Sequence, residues 1–127
     1  MIIDHIRDIE EFKKLYDSRP MPVPYDYDWL IKNPCLYCFY GQEGEKHENK
    51  LMGFITVQRE DGELTLSGVS IRHIMPDIIT AIVTVCEAFK EDMYSYTRVK
   101  PAILCLLRAG FEHVKDDCYI RRYKDGK

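Results

Sequence analysis

The stretch from Leu64 to Phe89 limits what this chain can fold into more than any other, because its periodicity changes twice. Leu64 and Leu66 share one face by the two-residue alternation of a strand. Continued, that alternation would place Gly68 and Ser70 on the same face. Instead the apolar residues return at Val69 and Ile71, one position out of step. A one-residue slip turns every later side chain to the wrong face unless an inserted residue absorbs it. A β-bulge is therefore expected at Ser67-Gly68, since a glycine inside a strand commonly marks one. A bulge turns backbone N–H and C=O groups out of the ladder and leaves them for a ligand. The competing reading is a kink that serves packing only.

The connector Arg72-His73-Ile74-Met75 then leads to a helix opening at Pro76. Proline suits a first helical turn, where its missing N–H costs nothing, and Asp77 complements the positive end of the helix dipole. Asp77, Thr80, Thr84, Glu87 and Glu91 recur as one narrow polar stripe. Ile78, Ile79, Ile82, Val83, Val85, Cys86 and Phe89 fill the remaining circumference, so most of the helix is expected to be buried.

The 127 residues suffice for one domain with a proper core, expected to span residues 1–127. No apolar run approaches the ~20 residues of a membrane span. Met1-Ile2-Ile3 runs at once into charged residues, so no signal peptide is expected. The net charge of −3 argues against a nucleic-acid partner, and the short basic cluster Arg121-Arg122 with Lys124 reads as a solvated strand end. Five cysteines, an odd count without the density of a disulfide scaffold, suit a reducing cytoplasm.

Along the chain, Met1–Ile3 reads as a brief edge strand. Ile6, Ile9, Phe12 and Leu15/Tyr16 mark an amphipathic helix over about Asp4–Asp17. Ser18–Pro24 is a Pro-rich connector, and Tyr25–Ile31 a short helix carrying Trp29, stopped near Asn33-Pro34. Cys35–Gly41 is a continuous apolar run, as in a strand covered on both faces. The charged loop Gln42–Lys50 leads into a strand at Leu51–Arg59, and Asp61-Gly62 turns the chain into the Leu64 strand. After the Pro76 helix come a strand at Met93–Arg98, a helix at Pro101–Ala109 ended by Gly110, and strands at Phe111–Val114 and Cys118–Tyr123. Helices packed on a mixed, mostly antiparallel sheet give an α/β (α+β) sandwich.

This order of elements resembles the GNAT (GCN5-related N-acetyltransferase) fold over nearly the whole chain. The best local match is Val99-Lys100-Pro101-Ala102-Ile103-Leu104-Cys105-Leu106-Leu107-Arg108-Ala109-Gly110-Phe111, in which Ala102, Gly110 and Phe111 fall on the pattern of the family's late helix. The resemblance implies a three-layer fold with a bulged central strand and about four flanking helices. It also implies an acetyl-CoA cofactor, held by backbone near Gly68, Val69 and Ile71 with Arg72 supplying a cation. Bare N–H groups at the start of the following helix would bind its pyrophosphate, as helix N-termini bind anions generally. The departures are equally specific. The family's Asn falls on Val99, and its Tyr, a usual general acid, falls on Leu106. Asp77 and Ile79 stand at the glycine positions of the phosphate loop, where a carboxylate repels phosphate and Cβ atoms hinder close approach.

Other constellations have plainer readings. Cys35-x-x-Cys38 with His47 invites zinc, but strand residues three apart point to opposite faces and no second CxxC exists, so no metal is expected. Cys105 reads as core. His73, at the strand-to-helix connector, is a candidate proton acceptor near neutral pH, against the alternative of a surface loop histidine. Glu63 is a candidate base acting through water, and His113 has no evident partner. Tyr25, Tyr27 and Trp29 are placed to wall a substrate groove, whereas the remaining tyrosines suit strand packing.

Two functions follow from this reading. One is a divergent N-acyltransferase joining an acyl-CoA and an amine substrate. The other is a non-catalytic protein of the same fold, such as a phage-encoded one, with a protein partner and a virion or assembly role. Neither involves a membrane or nucleic acid, and fold alone decides neither.

Overall fold

Two aspartates decide where the first helices begin. The Asp8 carboxylate accepts from the N–H groups of Glu10 (3.0 Å) and Glu11 (3.3 Å), and Asp26 accepts from Trp29 N–H at 2.8 Å. Each aspartate has extended backbone and satisfies donors that a helix start otherwise leaves orphaned. In the computed structural model, which describes residues 1–18 and 26–124, the order is β1 (Ile2–Asp4), α1 (Ile9–Asp17), α2 (Tyr27–Lys32), β2 (Leu36–Tyr40), β3 (Leu51–Glu60) and β4 (Glu63–Ser70). It continues α3 (Met75–Phe89), β5 (Met93–Tyr96), α4 (Lys100–Arg108), β6 (Glu112–Lys115) and β7 (Cys118–Arg121). The first helix thus starts five residues later than its apolar spacing predicts, because the Asp8 cap outweighs the periodic Ile6. Most of the expected Pro-rich connector, and Tyr25, lie outside the described residues.

The strands form one seven-stranded sheet in the order β1-β2-β3-β4-β5-β7-β6. Pairing of β1 with β2, β2 with β3, β5 with β7 and β6 with β7 is antiparallel, whereas β4 and β5 run parallel. The expected α+β architecture, with a mostly antiparallel sheet and four helices among the described residues, is what the chain adopts. Asp61 (φ 50°) and Gly62 (φ 84°) form the expected tight turn between β3 and β4.

The bulge expected in the central strand requires correction. The two-residue turn sets Glu60 beside Glu63, and Ile71 N–H donates to Met52 O at 2.8 Å. Ile71 lies eight residues beyond Glu63 and Met52 eight before Glu60, so neither strand has gained a residue between those rungs. Register shifts occur instead between Phe39 and Tyr40, and between His113 and Lys115. The apolar pattern slips for a different reason. Leu64 and Leu66 are buried on one face of β4, while Val69 and Ile71, on the other, pack against a cluster that includes Phe12, Leu15, Leu30, Cys38 and Phe54. Both faces are covered at the start of the strand, where Thr65 is buried as well, and the Val69 face is the one that stays packed toward its end; the register does not change. Gly68 still has a steric role. A Cβ there would stand 2.6 Å from Phe54 O.

The chain divides into two compact units, Met1–Thr56 with Ser67–Ile74, and Val57–Leu66 with Met75–Lys127. The first is centred on the Phe12 cluster, where the Phe12 and Phe54 rings lie 4.8 Å apart. In the second, Arg121 ties three elements: its Nε donates to Ala109 O (2.9 Å) at the end of α4, and its terminal nitrogen reaches Glu87 of α3 at 2.8 Å. Ala81, Ile82, Val85 and Cys86 form the buried side of α3, while Ile78, Ile79, Val83 and Phe89 are half-buried. The buried face of that helix is therefore narrower than its composition suggests, although Thr80, Thr84 and Glu87 do line the solvent side as expected. No described helix is long and apolar enough to cross a membrane.

A methyl group at Gly68 must displace strand backbone, which is stiff, rather than a flexible side chain. Gly68→Ala is expected to cost about 1–3 kcal/mol, seen as a lower urea midpoint with unchanged slope. Undiminished stability would show that β3 and β4 do not approach as closely as described.

Candidate functional site

The candidate residues lie at the end of β4 and in the connector that follows it. Val69 and Ile71 are half-buried against the Phe12 cluster. The Ile71 N–H is already engaged with Met52 O, so it is not a free donor for a ligand. Strand alternation turns the N–H and C=O of Ser70 toward the opposite edge, away from β3. At the start of the strand that edge is taken: Leu64 registers with Met93 and Thr65 with Tyr94, and the Ser95 hydroxyl donates to Leu66 O at 2.8 Å. The resemblance implied backbone contacts near Gly68, Val69 and Ile71; the ladder adds Ser70, a polar residue whose backbone orientation becomes visible only once the Ile71–Met52 bond is known.

Arg72 and His73 are both exposed, held between Ile71 and the buried Ile74. His73 has φ 65°, a left-handed conformation that costs a non-glycine residue about 1 kcal/mol and fixes the direction of the connector. Asp77 and Ile79, onto which the glycines of a GNAT phosphate loop would fall, are helical residues within α3. Leu106 is 3 % exposed and Val99 occupies the cap position of α4 without a side-chain hydrogen bond, so neither offers a proton donor.

A separate concavity of about 330 Å³, foreseen by no motif, lies in the second unit. It is lined by Gly62, Glu63, Leu64, Glu91, Asp92, Tyr94 and Tyr123. Its carboxylates are engaged locally: Glu91 accepts two bonds from Arg59 (3.0 and 3.1 Å), Glu63 accepts from Tyr96 OH (3.1 Å), and Asp92 from Tyr123 N–H (2.8 Å). Glu63 is thus a hydrogen-bond acceptor for a phenol. Hydrogen bonding to Cys118, then burial and the Glu63 carboxylate, hold the Tyr96 phenol protonated well above the ordinary tyrosine range. None of Gly68, Val69, Ile71, Arg72 and His73 lines this concavity.

Three of the five cysteines, Cys38, Cys86 and Cys105, are buried thiols. Cys38 is fully buried and Cys35 half-buried, and no group of three or more potential metal ligands is found among the described residues. Burial pushes the Cys38 and Cys86 thiols up to about 12 and raises Cys105 as well. Tyr27 packs in the core with its ring 5.6 Å from Tyr16 and 6.0 Å from Phe12, whereas Trp29 is 41 % exposed. Of the expected aromatic groove wall, Trp29 is the exposed member among the described residues. The ring of His113 bonds Asp116 O at 2.8 Å and lies 5.0 Å from Tyr119, which gives it the partner its sequence context did not reveal.

No family model, curated protein or solved structure matches this chain.

The thiol environments have two measurable consequences. A disulfide reagent at pH 8 should modify Cys35 and Cys118 in the folded protein, and Cys38, Cys86 and Cys105 only after denaturant is added. Because the folded values of Cys38 and Cys86 are raised from 9.0 to about 12, their contribution to stability is complete below pH 9 and lost as pH rises through about 12. The urea midpoint should fall across that window; a flat profile would show that these thiols are not buried.

Proposed function

We propose that this chain is a divergent acyl-CoA-dependent N-acyltransferase of the GNAT type, moving an acetyl group from acetyl-CoA to an amine in the cytoplasm. The observation that carries the reading is the strand order, in which the parallel pair β4/β5 interrupts otherwise antiparallel pairing and is registered over Leu64 and Thr65 before β4 runs on to Ser70. The bulge that the GNAT resemblance implies is not present in this strand, so in this reading an acyl arm would be held along the edge of β4 that faces away from β3, beyond Leu66.

In this reading the backbone around Gly68, Val69 and Ser70 aligns the acyl arm, and the exposed Arg72 meets phosphate charge. The amine lone pair attacks the thioester carbonyl carbon, the C–N bond forms, and the C–S bond breaks to release the thiolate. The amine proton passes to His73 or to water. Leu106 provides no acid, so the sulfur leaves as a thiolate and is protonated by solvent, which is feasible because a thiol has a pKa of about 8.5. Catalysis then rests on positioning.

A second reading is favoured by the same residues that depart from the family pattern. A buried Leu106 in place of an acid, and Asp77 in the first turn of α3, suit a protein of this fold that has lost the cofactor and binds another protein, for instance in a phage particle.

A thermal-shift titration with acetyl-CoA separates the two. A ligand at a hundredfold its dissociation constant adds about 2.7 kcal/mol, which for a domain of this size raises the midpoint by several degrees. Millimolar acetyl-CoA is expected to produce such a shift, reduced in Arg72→Ala. No shift would contradict the acyltransferase reading, and an undiminished shift in the variant would remove Arg72 from the site.

A further inference from the structure

Helix α4 exposes a stripe whose chemistry specifies a partner. Its inward side is Cys105, Leu106 and Ala109, all nearly inaccessible. Lys100, Leu104, Leu107 and Arg108 lie on the opposite side by helical spacing, with Leu104 39 % and Leu107 45 % exposed. A single exposed leucine needs no explanation. Two leucines within one turn, with a cation at each end of the stripe, form an organised surface.

The charges on this stripe are in no close ion pair within the fold, although an Arg108 nitrogen donates to Met75 Sδ at 3.5 Å. Among the described residues neither Lys100 nor Arg108 belongs to an ion pair, and Arg98, 84 % exposed, reaches Asp117 only at 3.9 Å. Lys100 also sits in the first turn, where no acidic residue balances it and Val99 gives no side-chain cap. A cation there opposes the helix dipole and weakens α4. A chain of net charge −3 therefore sets two cations beside two outward leucines, with Arg98 just ahead of the helix, at some cost to the helix that carries them.

We propose that the outward face of α4 docks an acidic amphipathic helix of another protein. Apolar side chains of that helix cover Leu104 and Leu107, and its carboxylates meet Lys100, Arg108 and Arg98. Charge also argues against a second copy of this chain as the occupant. Antiparallel pairing of two such stripes sets Lys100 against Arg108, and parallel pairing sets each cation against itself. The proposal stands independently of acyl transfer.

The test uses the full chain and a labelled synthetic peptide of about 18 residues, long enough to form a helix. Leucines stand at i, i+3, i+4 and i+7 spacing and glutamates fill the other positions; a control peptide carries lysines instead. Fluorescence anisotropy should show the glutamate peptide binding at least about tenfold tighter than the lysine peptide, and weakening as salt rises from about 50 to 500 mM. Leu104→Ser with Leu107→Ser should lose about tenfold or more at an unchanged thermal midpoint. Lys100→Glu with Arg108→Glu should reverse the preference between the peptides, which keeps the test decisive if the serine variant is unstable. Equal binding of both peptides, no binding, or wild-type affinity in these variants would overturn the proposal. So would concentration-dependent dimerisation abolished by the serine pair, which would make a second copy the occupant.

Discussion

Everything in this fold depends on β4 being packed on both faces while its backbone crosses close to β3. Leu64, Thr65 and Leu66 are all buried, so the start of the strand has no solvent face. Further along, Val69 and Ile71 turn to the opposite side and join the Phe12 cluster. Where β3 and β4 approach this closely, β4 needs a residue without a side chain. Gly68 meets that requirement, because a Cβ would collide with the Phe54 carbonyl.

Much of the architecture was legible because local chemistry and tertiary structure agree. Asp61-Gly62 demanded a tight turn and both residues take positive φ; Gly110, with φ 96°, ends the α4 segment as a left-handed cap should. Where the reading failed, a second physical effect outweighed the pattern. Ile6 is in phase with the α1 stripe, yet the Asp8 cap starts the helix after it. The offset between Leu66 and Val69 looks like an inserted residue only if the Leu64 face of the strand is assumed to stay buried throughout. The concavity was invisible for another reason: Gly62–Leu64, Glu91–Tyr94 and Tyr123 are brought together by strand pairing, and none of these segments is distinctive alone.

The candidate site was legible in part for the same reason. Gly68, Arg72 and His73 are positions where local conformation or exposure differs from that of a core strand, and residue type signals this. Which backbone groups are committed to the ladder depends on register, which residue type does not encode. The bond from Ile71 to Met52 moves attention from Ile71 to Ser70. The tie from Arg121 to Ala109 and Glu87 was also beyond reach, since Arg121 reads in sequence as one of a solvated basic group and in the fold as a half-buried clamp.

The most direct test of this account is residue-resolved amide hydrogen exchange along β4. If the strand is bound to β3 on one edge and free on the other near its end, the Ile71 amide should exchange at least about tenfold more slowly than that of Ser70. Equal, strong protection at Ser70 would mean that both edges are occupied to the end of the strand, leaving no backbone there for a ligand to grasp.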